Sequence, residues 1–194
     1  MKTINFFAAM SVATMVCLSS CNKDEAKDDT NTVGPIDLKL ELVANLSGKM
    51  AEAKPSANNV VAVLDVKSYN ARTGELVFNN PKLPEDIGEW RGDGYKVDVY
   101  ANAETRLFSV DFVSSLFSSE HKRPVLHYSM LDNTEIPDAR IEKDKWYILS
   151  GYPQGKVLAS GTITDGDQQA AFKKIEAGWN AFVDALKKSG KYIE

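Results

Sequence analysis

The chain has 194 residues, 43% of them hydrophobic and 26% charged, with a formal net charge of -4. This mildly acidic balance argues against nucleic acid and anionic lipid headgroups as partners, because both repel a negative surface. Two cysteines are too few for a disulfide framework, so an ordered domain in this chain has to be held by its core.

At the amino end, Lys2 supplies positive charge, Ile4 to Leu18 form a mostly apolar run, and the small residues Ser19 and Ser20 precede Cys21. This is the pattern of a secretory signal, and the apolar run is too short to span a bilayer. Leu18-Ser19-Ser20-Cys21 resembles the bacterial lipobox. The resemblance implies cleavage before Cys21, acylation of Cys21 with palmitate-type chains, and attachment to a membrane through that lipid. Cys17 fits less well, since bulky Val16 stands where a small residue is wanted. The alternative is an ordinary cleaved signal followed by a chance cysteine. Under the lipobox reading, residues 1–20 are a signal peptide and the mature chain keeps no thiol for a disulfide, a nucleophile or a zinc site. Loss of that segment removes one basic residue, Lys2, and no acidic one, which leaves the mature chain slightly more acidic.

Residues 21–35 are polar and charged with almost nothing to bury, so they read as a lipidated flexible tether. A coil of this length reaches about 20 Å on average. Lys23-Asp24-Glu25 is similar to the short charged export signal of Bacteroidetes lipoproteins. That similarity implies an outer membrane lipoprotein exposed at the cell surface, and the chain as a whole resembles the envelope lipoproteins of that group. A plain soluble linker is the other reading of the same three residues.

From residue 36 to 194 a single β-rich domain is expected. Ile36 to Leu42 alternates strictly between apolar and charged residues, the mark of a half-buried strand. Residues 45–59 allow one or two helical turns before Pro55. Val60 to Lys67 is β-branched and more continuously apolar than the first strand, which suggests a strand covered on both faces at its start, and the turn residues from Tyr69 to Gly74 lead to a partner strand, Glu75 to Phe78. Residues 79–94 hold Pro81, Pro84, Gly88, Gly92 and Gly94 and read as a long loop. Further strands are expected at Tyr95 to Tyr100, Arg106 to Val113, Val125 to Leu131, Trp146 to Tyr152 and Val157 to Ile163, the last two flanking a turn at Pro153-Gln154-Gly155. Eight strands joined mostly by short links predict an antiparallel sheet.

The apolar period then changes from two to 3.6. Phe172, Ile175, Trp179, Phe182 and Leu186 recur at steps of three and four, which predicts an amphipathic helix over 168–188. Asp165 is placed to cap its start and Gly190 to end it. One apolar stripe has to cover the sheet. The fold class is therefore α+β and β-rich, an antiparallel sandwich or partly closed barrel packed with a C-terminal helix. The same element order resembles a lipocalin, which would imply an internal site for a small apolar ligand, but the Gly-x-Trp of that family's first strand is missing.

Chemistry is sparsely marked. His121 and His127 match no metal-ligand spacing, and no cofactor motif is present. Gly161 to Asp167 has the glycine spacing of a phosphate loop, but Asp167 stands where a lysine is needed. Asp65, Asp111 and His127 are the residues an envelope hydrolase could use, although no Gly-x-Ser-x-Gly elbow marks a nucleophile. No catalytic residue is assigned. The loop Glu89 to Tyr95 offers Trp90, Arg91, Asp93 and Tyr95 as a binding surface, since an exposed aromatic ring suits a sugar face or a protein partner. Trp90 could equally fold back over the core, and the Arg91-Gly92-Asp93 triplet arises easily by chance. The expected function is a lipid-anchored, non-catalytic binding or accessory module for a glycan or protein; an envelope hydrolase and a lipocalin-like carrier are the alternatives.

Replacing Cys21 with Ala is expected to leave an uncleaved or soluble exported precursor that no longer takes up a palmitate analogue. Undiminished labelling of that variant in cells would sink the lipobox reading.

Overall fold

The structure is a computed structural model that describes residues 36–44, 60–83, 95–102, 104–116, 119–131 and 141–194. The helical turns expected within 45–59 and most of the loop expected at 79–94 lie outside the described residues.

Among the described residues there are eight strands: β1 (Leu38–Ala44), β2 (Val60–Asn70), β3 (Glu75–Phe78), β4 (Tyr95–Ala101), β5 (Thr105–Ser114), β6 (Val125–Ser129), β7 (Lys145–Leu149) and β8 (Tyr192–Ile193). Two helices, α1 (Gly166–Lys173) and α2 (Glu176–Lys188), stand between β7 and β8. The sheet runs β1-β4-β5-β6-β7-β3-β2, and β1 also pairs with β2, so seven strands close into a barrel while β8 adds to β2 outside the closure. The β-rich α+β expectation is borne out.

Alternation sorts the side chains. Leu38, Leu40 and Leu42 of β1, Ala62, Leu64 and Val66 of β2, Val97 and Val99 of β4, and Phe108, Val110 and Phe112 of β5 are buried in one core. Phe78, Phe112, Tyr128 and Trp146 bring their rings into contact at 4.8–5.7 Å between centroids. A barrel of this strand number is just wide enough for side chains to fill, and here they do.

A register shift lies between Val66 and Ser68, where one extra residue of β2 faces β3. Such a bulge reverses the parity of everything beyond it. Tyr69 therefore turns into the core, fully buried, at a position that strict alternation from Val66 would have sent outward.

The sheet is mixed: β5–β6 and β2–β8 are parallel and the other pairings antiparallel. Short links do not join β5 to β6. Their connection returns along β5, with His121 bridging Tyr152 and the Asp111 amide donating to the Pro124 carbonyl at 3.2 Å, so β6 starts at the same end as its neighbour.

The expected strand over 157–163 is reduced to a bridge between Leu149 and Val157, followed by a 3-10 turn, Leu158–Ser160. β6 takes one edge of β7 along its whole length and β3 takes the other at Trp146 and Tyr147, which leaves that segment only the short stretch at Leu149 to pair with. The eighth strand lies instead at Tyr192–Ile193.

The expected helix forms as two. Asp165 caps α1 by accepting from the amides of Asp167 and Gln168, both at 2.9 Å. Bonds from Lys174 to Ala171 and from Ile175 to Phe172 tighten the chain between α1 and α2. In α2 the buried residues are Trp179, Phe182, Ala185 and Leu186. Their rings meet Tyr69 near the end of β2 and Phe108 near the start of β5, so α2 closes that end of the barrel. The approach is tight: a β-carbon on Gly178 would collide with the Leu107 carbonyl oxygen. Past α2, Gly190 takes φ +68 and the Lys191 amide reaches back to the Leu186 carbonyl at 2.8 Å, a left-handed stop that turns the chain into β8.

Trp179→Ala should remove a core ring and lower stability by about 3 to 5 kcal/mol in urea titration. A loss below about 1 kcal/mol would mean that α2 does not seal the barrel.

Candidate functional site

Of the residues singled out in the loop before β4, Trp90, Arg91 and Asp93 lie outside the described residues, as does Cys21. Tyr95 opens β4, half-buried, with its ring edge-on to Phe112 at 6.5 Å. It stands at the mouth of a groove of about 550 Å³.

The groove follows from strand parity. Because Phe108, Val110 and Phe112 face inward, Ser109 and Asp111 face outward, and Asp111 lies opposite Lys96 of β4. The connection returning from β5 to β6 then lays Ser119, His121 and Arg123 beside Asp111, and α1 supplies Ala171 on the far wall. A second cavity of about 200 Å³ shares Lys96, Asp111, Arg123 and Ala171 with the first and adds Lys174 and Ile175.

Asp111 is the hub, only 6% exposed. Its Oδ2 accepts from the Arg123 Nε and faces His121 Nδ1 at 3.2 Å, while His121 Nε2 faces the Ser119 hydroxyl at 3.3 Å. A carboxylate this enclosed requires charged or hydrogen-bonded partners, and Arg123 and His121 supply them. Serine, histidine and aspartate stand in the atom order of a nucleophile, a base and an orienting acid. Lys122 points elsewhere, to Asp167 at 3.4 Å and Glu120 at 3.9 Å, and these carboxylates raise its pKa.

The other acids considered from sequence are scattered. Asp65 belongs to β2, separated from β5 by β1 and β4, so it does not meet Asp111. Asp98 lies on the outer face of β4, yet it is buried, held by the Ser109 hydroxyl and by Arg106 at 3.7 Å.

His127, named with Asp111 among the residues a hydrolase could use, is elsewhere. It lies on the outer face of β6, in a small second core with Val113, Tyr147, Leu149, Tyr152 and Val157. Its ring stacks on Tyr152 at 5.1 Å, Nε2 meets the Ser115 hydroxyl at 3.3 Å, and Nδ1 has no partner. The charged form would bury a second N–H with nothing to accept it, and burial lowers the pKa to about 4.

Sequence reasoning missed His121 as the partner of Asp111. The spacing of ten residues carries no periodic signal, and the pairing exists only because the connection doubles back. The run His121-Lys122-Arg123 beside a strand was the one available hint. Among the described residues, no group of three or more His, Cys, Asp or Glu could hold a metal, and no helix is long and apolar enough to cross a membrane. No protein-family model, curated protein or solved structure matches the chain.

His127 makes stability depend on pH. The unfolded imidazole takes its proton near about 6.5, whereas the folded one resists until about 4. Acidification through that window protonates the unfolded chain first, so stability is lost as pH falls, by about 3 kcal/mol for this group. Between pH 7 and pH 4, urea unfolding should show the wild type losing about that much more than His127→Gln; equal losses would show that His127 is not held neutral.

Proposed function

We propose that the protein is a lipid-anchored component of the cell envelope that acts as a non-catalytic binding module, with its ligand seated in the groove over Asp111. The observation that carries this reading is the groove itself: a concave site on a rigid barrel wall, with a few converging polar groups around one enclosed carboxylate. The packed rings of the barrel interior favour such an external site over a lipocalin-like internal one. The lipobox-like Leu18 to Cys21 supports the anchor, and the export-like Lys23 to Glu25 supports exposure at the outer membrane surface.

A second reading, an acyl hydrolase, draws on the chain of contacts from Ser119 through His121 to Asp111. It ranks second for two reasons. Ser119 and His121 are two residues apart in one segment, where side chains on the same face meet without any catalytic design. Asp111 also gives the oxygen that faces His121 to Arg123.

Ala171 lines both cavities, so Ala171→Trp should fill the groove. On glycan and envelope-protein arrays, this variant of the mature chain should lose the capture that the wild type shows, while Ser119→Ala should keep it and a fluorophosphonate should leave Ser119 unmodified. Capture that survives Ala171→Trp would place binding elsewhere, and labelling of Ser119 would favour the hydrolase.

A further inference from the structure

We infer that the groove selects a small oxyanion, a ligand presenting a carboxylate or a phosphate; the inference rests on the binding role proposed above. The charges around Asp111 do not balance locally. Asp111 is engaged by Arg123 and His121, and Lys122 is engaged by Asp167 and Glu120. Lys96, which lines both cavities, and Lys174, which lines the second, make no side-chain ion pair or hydrogen bond among the described residues. Arg123 lines both cavities and spends only its Nε on Asp111, and its side chain stays 60% exposed, which leaves the outer nitrogens of the guanidinium open to a ligand.

Lys96, Arg123 and Lys174 thus all line the second cavity, beside Asp111 as its one acidic residue, in a chain whose overall charge is negative. One carboxylate, Asp111, does not offset three cations, and an anion placed among them relieves their repulsion while gaining charge-assisted hydrogen bonds. The wall they share is partly apolar, with Val110, Ala171 and Ile175. Field lines are focused by such a wall, so the same charges act more strongly here than on an open face. Asp111 contributes by fixing the Arg123 stem, which leaves the planar fork in place for an oxygen pair.

The test is titration calorimetry on the mature, lipidated chain in detergent with galacturonate, inorganic phosphate and neutral galactose. At least one of the anions should bind and galactose should not, and the anion that binds distinguishes a carboxylate ligand from a phosphate. Added salt should weaken binding, and the double variant Lys96→Gln with Lys174→Gln should weaken it at least about tenfold, with partial recovery in Lys96→Arg, Lys174→Arg. Absence of heat with both anions overturns the inference. Galactose binding that is unaffected by the lysine variants but abolished by Ala171→Trp also overturns it, while leaving the groove as a binding site. Anion binding that persists in Ala171→Trp overturns both this inference and the groove as the binding site.

Discussion

Closure of the barrel by the β1–β2 ladder is the constraint on which the rest depends. Five residue pairs, from Lys39–Asp65 to Val43–Val60, join the first strand to the second, and β4 takes the other edge of β1 over its whole length. Without the first ladder the sheet would present two open edges and its leucine-lined face to water. With it, Leu38, Leu40, Leu42 and Leu64 meet the aromatic rings of the opposite wall and the interior is filled. Closure then fixes inside and outside for every strand. That is why Asp111, flanked by two core residues, has to project outward and be satisfied by whatever chain passes over it.

Much of this architecture was legible. Alternation in Ile36 to Leu42 and Arg106 to Val113 located β1 and β5 and assigned their faces, and the stripe from Phe172 to Leu186 located the helical segment that seals the barrel. What escaped was set by partners and not by pattern. Val157 to Ile163 reads as a strand but finds only a short free edge, at Leu149, because β6 and β3 flank the rest of β7. β8 is two residues long and exists only because Gly190 turns Tyr192 back toward β2. The break between α1 and α2 carries no glycine or proline to announce it. The bulge at Lys67, which redirects Tyr69, is likewise invisible to a count of apolar residues.

The site was less legible than the fold. Asp111 could be singled out as an acid beside core positions, but its partners could not, since the connection that returns along β5 brings His121 and Arg123 to it from ten and twelve residues away. The candidate His127 shows the same difficulty from the other side. Its neighbours in sequence, Leu126 and Tyr128, are plainly core, yet its own face is also covered, by Tyr152 from beyond β7. A polar residue on the outer face of a barrel strand is solvent-facing only if nothing folds over it.

The position of α2 in the chain has a consequence for how the protein reaches this state. The element that seals the barrel lies near the carboxyl end, and its rings rest on Tyr69 and Phe108, while β8 pairs with β2 across more than a hundred residues of chain. Contacts so distant in sequence form late and slowly, since loop entropy must be overcome before they reward it. A chain still emerging from the ribosome therefore lacks the piece that completes its core. Commitment to the native state is deferred until the last helix arrives.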